Sequence, residues 1–270
     1  MIDKTGGPAT VACIKWGALF GPDYVNRLYS GVRRNLSRPV RFVCMTEDAA
    51  GLHPDIEVIG LPVEPFAEPM AEALAVANRQ GAMRKVSLFR PGAIADLQGP
   101  VLGFDLDVVI TGDLDPLFDL APGDVLMRHD WTEARKGRPT GHGSVFRFDP
   151  ARHGFLYDNL AARPYEEVEA ARGSEQRYTS HKAMERGAFT YIPEGWVVSF
   201  KYDCNPFPRN YLHPARLPEG AKVVCFHGRP KMPEAIEGYR GSLIRYAKPT
   251  GWLQEHWVEH AREDLGGRWA

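Results

Sequence analysis

Asp105 and Asp107 carry the chemistry most readily drawn from this chain. They stand either side of Leu106 in Gly99-Pro-Val-Leu-Gly-Phe-Asp-Leu-Asp-Val-Val-Ile110. Read as one strand, the period of two puts both carboxylates on one face. Two ionised carboxylates that close repel, and burying them without a partner is costly. A hard divalent cation, Mg²⁺ or Mn²⁺, removes both difficulties and leaves coordination positions for phosphate oxygens. Two solvated acids at a strand end would satisfy the same tripeptide. His227 directly follows the apolar run Lys222-Val-Val-Cys-Phe226, with Gly228 permitting close approach and Lys231 four residues on. A neutral imidazole can ligate Mn²⁺ and a lysine can neutralise phosphate; a hydrogen-bonded turn histidine is the plainer alternative. Asp105, Asp107 and His227 together would make a three-ligand metal site with room for a diphosphate.

These residues need elements to hold them. Thr10–Lys15 reads as a buried strand, Tyr24–Leu36 as a helix capped by Asp23, Val40–Met45 and Ile56–Ile59 as further strands. Strand, helix, strand at this spacing implies a βαβ unit, in which ligands collect at the carboxyl ends of the strands. Arg84–Arg90 reads as a helix feeding the acidic strand. Val125–Met127, Ser144–Phe148, Phe189–Ile192 and Lys222–Phe226 read as strands. Arg128–Gly141 is polar and reads as a mobile loop. Asp149 is expected to cap a helix through Leu160, and Ser174 one through Met184. Gly251–Leu265 reads as a helix. Leu61–Gln80 has no clear assignment. The expectation is an α/β fold with a mostly parallel central sheet flanked by helices, in a single domain spanning 1–270. A C-terminal helix is expected at 251–265.

Lys and Arg total 33 against 34 Asp and Glu, a formal net charge of -1 that gives no support for a nucleic-acid partner. Cys13, Cys44, Cys204 and Cys225 form no C-x-x-C pair, consistent with a reducing compartment. With no signal-peptide pattern and no stretch long enough to span a bilayer, the chain is expected to be cytoplasmic, with peripheral membrane contact allowed.

Several features in order resemble the GT-A glycosyltransferases, in particular the retaining group that includes glycogenin and the bacterial lipopolysaccharide galactosyltransferases. They are the opening strand and loop Ala12-Cys-Ile-Lys-Trp16 through Tyr24, Arg84-Lys85, the D-x-D in Phe-Asp-Leu-Asp-Val-Val-Ile, Gly-Asp-Leu-Asp-Pro-Leu-Phe, Gly141-His-Gly-Ser-Val-Phe146, Glu175-Gln176 and His-Gly-x-x-Lys231. The resemblance implies the GT-A, Rossmann-like fold, with a nucleotide-binding part at about 10–120 and an acceptor and sugar part at about 121–250, and a hexosyltransferase-like activity. The donor would be a nucleotide-sugar, expected to be a UDP-sugar, used with Mn²⁺ or Mg²⁺ on a glycan or lipid-linked acceptor. It implies metal ligation by Asp105, Asp107 and His227. Lys85 and Lys231 would lie near the phosphates, Lys15, Trp16 and Tyr24 beside base and ribose, Ser144 in the donor site, and Glu175 or Gln176 near the anomeric carbon. The chain departs from the family in having Gly141-His-Gly-Ser144 for Asn-Ser-Gly and Glu175 for Asp, which leaves donor sugar and stereochemistry open.

Other motifs are weaker. His256-Trp-Val-Glu-His260 matches H-x-x-E-H of some zinc peptidases, but amphipathic packing accounts for it. Gly141-His-Gly-Ser144 lacks the spacing and lysine of a P-loop. The alternatives to a transferase are a nucleotidyltransferase or sugar-phosphate hydrolase at the same site, or a non-catalytic sugar-binding scaffold.

Overall fold

The computed structural model describes residues 8–76, 83–242 and 245–269. In chain order it begins with β1 (Ala9–Lys15), α1 (Pro22–Arg34), β2 (Val40–Thr46), β3 (Glu57–Gly60), α2 (Ala67–Val76), a 3₁₀ segment (Arg84–Phe89), β4 (Val101–Phe104) and β5 (Val108–Ile110). There follow α3 (Asp115–Asp119), β6 (Val125–His129), α4 (Trp131–Ala134), β7 (Gly141–Phe148), α5 (Pro150–His153), α6 (Phe155–Ala162), α7 (Pro164–Ala170) and α8 (Glu175–Glu185). The last are β8 (Phe189–Tyr191), β9 (Val197–Ser199), a π turn (Phe200–Cys204), α9 (Arg209–Leu212), β10 (Val223–Cys225), α10 (Met232–Glu237), α11 (Gly251–Gln254), a second π turn (Glu255–Glu259) and α12 (His260–Leu265).

Seven strands form the main sheet in the order β3-β2-β1-β4-β7-β6-β8. β1, β2, β3 and β4 run parallel, β7 is antiparallel to both β4 and β6, and β8 is parallel to β6. β1 is apolar on both faces because helices cover both. On one side Val25, Leu28, Tyr29 and Val32 of α1 share a buried cluster with Val11 and Cys13; on the other, residues of α2, α6, α7 and α8 share one with Ala12 and Val43. A second sheet, β5-β10-β9, was not expected from the sequence. It packs against the C-terminal helices through Val224, Phe226, Leu253 and Trp257.

The acidic motif is the splice between these sheets, which corrects the reading of Asp105 and Asp107 as one strand. β4 ends at Phe104, and the backbone bends through Asp105-Leu106-Asp107 before entering β5. Asp105 N donates to Ser144 O on the main sheet, while Asp107 O accepts from Phe226 N beside the second. Leu106 is buried, so the carboxylates need not enter a doubly covered strand. Gly103 precedes the splice because a Cβ there would lie 2.3 Å from the Phe146 ring.

Three smaller expectations change. Gly21, not Asp23, is the N-cap of α1, and Asp23 lies in its first turn. The helix begun by Asp149 is interrupted at Gly154, dividing it into α5 and α6. Residues 128–141 are not all loop: β6 runs to His129, and Asp130 caps α4 by accepting from Thr132 N and Glu133 N. The polar character of that stretch comes from the cap and from Lys136 and Arg138 pairing with Glu133. Of the unassigned stretch, 67–76 is α2, and 77–80 lies outside the described residues. Among the described residues no helix is long and apolar enough to cross a membrane.

Candidate active site

The site is assembled around Lys85. The 3₁₀ segment aims its ammonium at Asp105 Oδ1 (2.7 Å), Gly143 O (2.9 Å) and Glu175 Oε1 (3.5 Å). Its own backbone N–H donates to Glu175 Oε2 at 3.0 Å. Burial opposes the charge on Lys85, but Asp105 and Glu175 prevail and hold its pKa above the usual lysine range. Ser144 Oγ donates to the other oxygen of Asp105 at 2.9 Å. Glu175 opens α8, with Ser174 as its cap. Burial raises the Glu175 carboxyl, and Lys85 counters.

Gln176, next along α8, accepts from Gly143 N at 3.2 Å and donates through Nε2 to Asp130 Oδ2 at 3.0 Å. The Gly143 peptide therefore sits between Lys85 and Gln176. A Cβ there would lie 3.2 Å from Lys85 Nζ and 3.3 Å from Gln176 Cβ, so a side chain at this point would press on both.

Asp107 is paired with Lys231 Nζ, which also donates to Phe226 O at 3.0 Å. Burial first and the charge of Asp105 second push the Asp107 carboxyl upward, against Lys231. Phe226 N donates to Asp107 O at 2.9 Å, which brings the His227 segment alongside the acid. The His227 ring stacks on Trp131, with centroids 5.1 Å apart, and its Nε2 lies 2.7 Å from Ser199 Oγ. Burial and then Lys201 lower its pKa to about 4, so the imidazole is neutral at neutral pH. The His142 ring stands 5.4 Å from it and is likewise lowered to about 4, by burial and then by His227.

The donor chemistry suits a divalent cation: two carboxylates in mutual repulsion beside a neutral imidazole. In this arrangement, however, each carboxylate carries a lysine and His227 Nε2 is engaged by Ser199. Among the described residues no three His, Cys, Asp or Glu side chains gather as a metal set.

At the carboxyl ends of β1 and β4 lies a cleft of about 210 Å³ walled by Trp16, Arg84, Lys85, Asp105, Phe146 and Glu175, among others. Trp16 is 46% exposed, and the Arg84 guanidinium lies 5.1 Å from its ring centroid. Lys15 and Tyr24 do not wall this cleft. The Lys15 ammonium is tied to Asp48 O at 3.1 Å, and Tyr24 sits edge-on to Trp257. The structure thus gathers Trp16, Lys85, Asp105, Ser144, Glu175 and Gln176, pairs Asp107 with Lys231 at the splice, and turns the His227 ring to Ser199, Trp131 and His142.

Sequence reasoning missed Asp130, Trp131, His142 and Asp203. Trp131 Nε1 donates to Asp203 Oδ2 at 2.9 Å, which also accepts from Ser199 N at 2.7 Å. The available signal was Asp130-Trp-Thr-Glu133, a capping pattern inside a stretch read as loop.

No family model matches the sequence, and no curated protein matches it. Solved structures do match. The galactosyltransferase LgtC, determined with donor and acceptor sugar analogues, is 15% identical, with 94% of this chain and 95% of that chain covered at a TM-score of 0.59. The glycosyltransferase GlyE of Streptococcus pneumoniae TIGR4 is 13% identical over 97% of this chain and 63% of its own, at 0.60. Mouse xyloside xylosyltransferase 1 is 12% identical over 83% and 100%, at 0.51. The chain has the GT-A fold of the glycosyltransferases.

Proposed function

We propose that the protein is a metal-dependent glycosyltransferase that moves a sugar from a nucleotide-sugar, a UDP-sugar, to a glycan or lipid-linked acceptor. The observation that carries this reading is the cleft at the carboxyl ends of β1 and β4, where Lys85, Asp105 and Glu175 meet beside Trp16 and Arg84. The β1–β4 half would take the nucleotide, and the later half the sugar and acceptor. Trp16 presents a flat apolar face to a base. Lys85 and Lys231 place two ammonium groups where a diphosphate would lie, and their attraction grows as negative charge develops on the leaving group.

A divalent cation would be held by Asp105 and Asp107, with His227 as third ligand once released from Ser199. When bound it supplies Lewis-acid neutralisation of the diphosphate. Both Glu175 oxygens bond to Lys85, which suits Glu175 to positioning that lysine and binding sugar hydroxyls rather than to free nucleophilic attack. The Gln176 amide, held at both ends, suits stabilising a cation-like sugar while the acceptor attacks from the leaving-group face.

One observation favours a second reading. Because Lys85 and Lys231 already neutralise the two aspartates, the site could bind a nucleoside diphosphate without metal and without turnover. Product analysis separates the possibilities. With a panel of UDP-sugars, acceptors and Mn²⁺, the transferase releases UDP and a glycosylated acceptor, and Asp107→Asn abolishes both. Pyrophosphate as product would mean nucleotidyl transfer, and binding without any product would mean the scaffold.

A further inference from the structure

Residues 205–217, 239–242 and 245–250 lie together beside the second sheet. Asn205 Nδ2 and Asn210 Nδ2 both donate to Tyr246 O, at 2.8 and 3.0 Å. The Tyr211 ring stacks on Tyr246 with centroids 4.7 Å apart, and Lys248 Nζ donates to Leu212 O at 3.0 Å. These segments contain Arg209, Arg216, Arg240, Arg245 and Lys248 and no Asp or Glu. Since the whole chain carries -1, removing these five cations would leave -6. The segments are thus purely cationic in a chain of near-zero net charge. Their four arginines are exposed and, among the described residues, join no ion pair. The first segment also carries two apolar side chains in water, Phe207 at 55% and Leu212 at 69% exposure.

We propose that this surface docks the protein on a bilayer of anionic lipid. Lipid phosphates supply the charge that the guanidinium groups lack, and Phe207 and Leu212 can enter the boundary between headgroups and acyl chains. A nucleic acid would satisfy the arginines but leave both apolar side chains in water. The C-terminal helical segment is not the docking element: Trp252 Nε1 donates to Ala215 O, and Trp257 is buried in the core. The proposal stands on the surface alone and goes beyond the donor-site reading.

Cosedimentation of the full chain with phosphatidylcholine vesicles, with and without phosphatidylglycerol, tests it. Binding is expected only with phosphatidylglycerol, and to weaken steeply with salt. R209Q/R216Q/R240Q/R245Q should lose roughly fivefold in affinity for each arginine removed. F207S/L212S should lose about tenfold while keeping its net charge. Unchanged UDP calorimetry and thermal midpoint in both variants would show that the fold and donor site are intact, so failure of docking and failure of the donor-site reading are read separately. Equal binding to uncharged vesicles, no binding to phosphatidylglycerol, or full retention by the four-arginine variant would overturn the proposal. So would tighter binding to a duplex oligonucleotide that F207S/L212S leaves unchanged.

Discussion

Gln176 has one amide orientation because Gly143 N takes its oxygen and Asp130 takes its nitrogen. Asp130 is itself fixed, its other oxygen accepting from Thr132 N and Glu133 N. Asp130→Asn keeps a competent helix cap but sets a second amide against Gln176. We expect kcat to fall about tenfold or more with KM for the nucleotide-sugar nearly unchanged, as for an interaction strengthened in the transition state. A change in KM alone would show that Asp130 only helps to bind donor. His142 and His227 give a pH signature. Both have pKa values lowered to about 4, against an unfolded value of about 6.5. As pH falls through that window the unfolded chain takes up protons that the folded one refuses, so their effect is to reduce stability towards acid; above it they contribute no pH dependence. Asp107 and Glu175, both raised, act in the opposite sense, so a difference measurement is needed. The urea midpoint of His142→Gln should decline less than that of wild type between about pH 7 and about pH 5. Equal declines would remove His142 from the account. Asp105 stood out by residue type and spacing, whereas Lys85 and Glu175 entered only through the resemblance to the glycosyltransferases. Asp130 and Trp131 were not, because a cap followed by one helical turn has the composition of a loop.

The elements show where local patterning stops being enough. The alternation around Asp105 and Asp107 reads as one strand, but the chain passes between two sheets there. What decides this is β10, more than a hundred residues later, which pairs with β5. No local period reports such a partner. Arg147 is a second case. It sits in β7 within an apolar run and is 1% exposed, yet it donates to the carbonyls of Leu117, Phe118, Leu120, Ala121 and Asp124. One guanidinium thus closes the connection from α3 to β6. Arg147→Leu would remove all these donors from buried carbonyls, at a cost of about 3 kcal/mol or more. Urea unfolding checks this, and a loss below about 1 kcal/mol would mean that water takes over those carbonyls.

At the scale of the molecule, the βαβ opening and the mostly parallel sheet could be read from hydrophobic runs and their spacing. The antiparallel β7, the second sheet and the meeting of the cationic segments 205–217, 239–242 and 245–250 could not, since each depends on which distant segments become neighbours. In the GT-A fold the cleft lies between Trp16 and the acids of the splice, and the proposed function turns on whether those acids share a cation. Calorimetry of UDP binding, with and without Mn²⁺, on wild type and on Asp105→Asn/Asp107→Asn tests that most directly. The account predicts that Mn²⁺ strengthens UDP binding to the wild type at least tenfold, about 1.4 kcal/mol, and has no effect on the double variant. UDP binding that Mn²⁺ leaves unchanged in the wild type, or strengthens equally in the double variant, would contradict it.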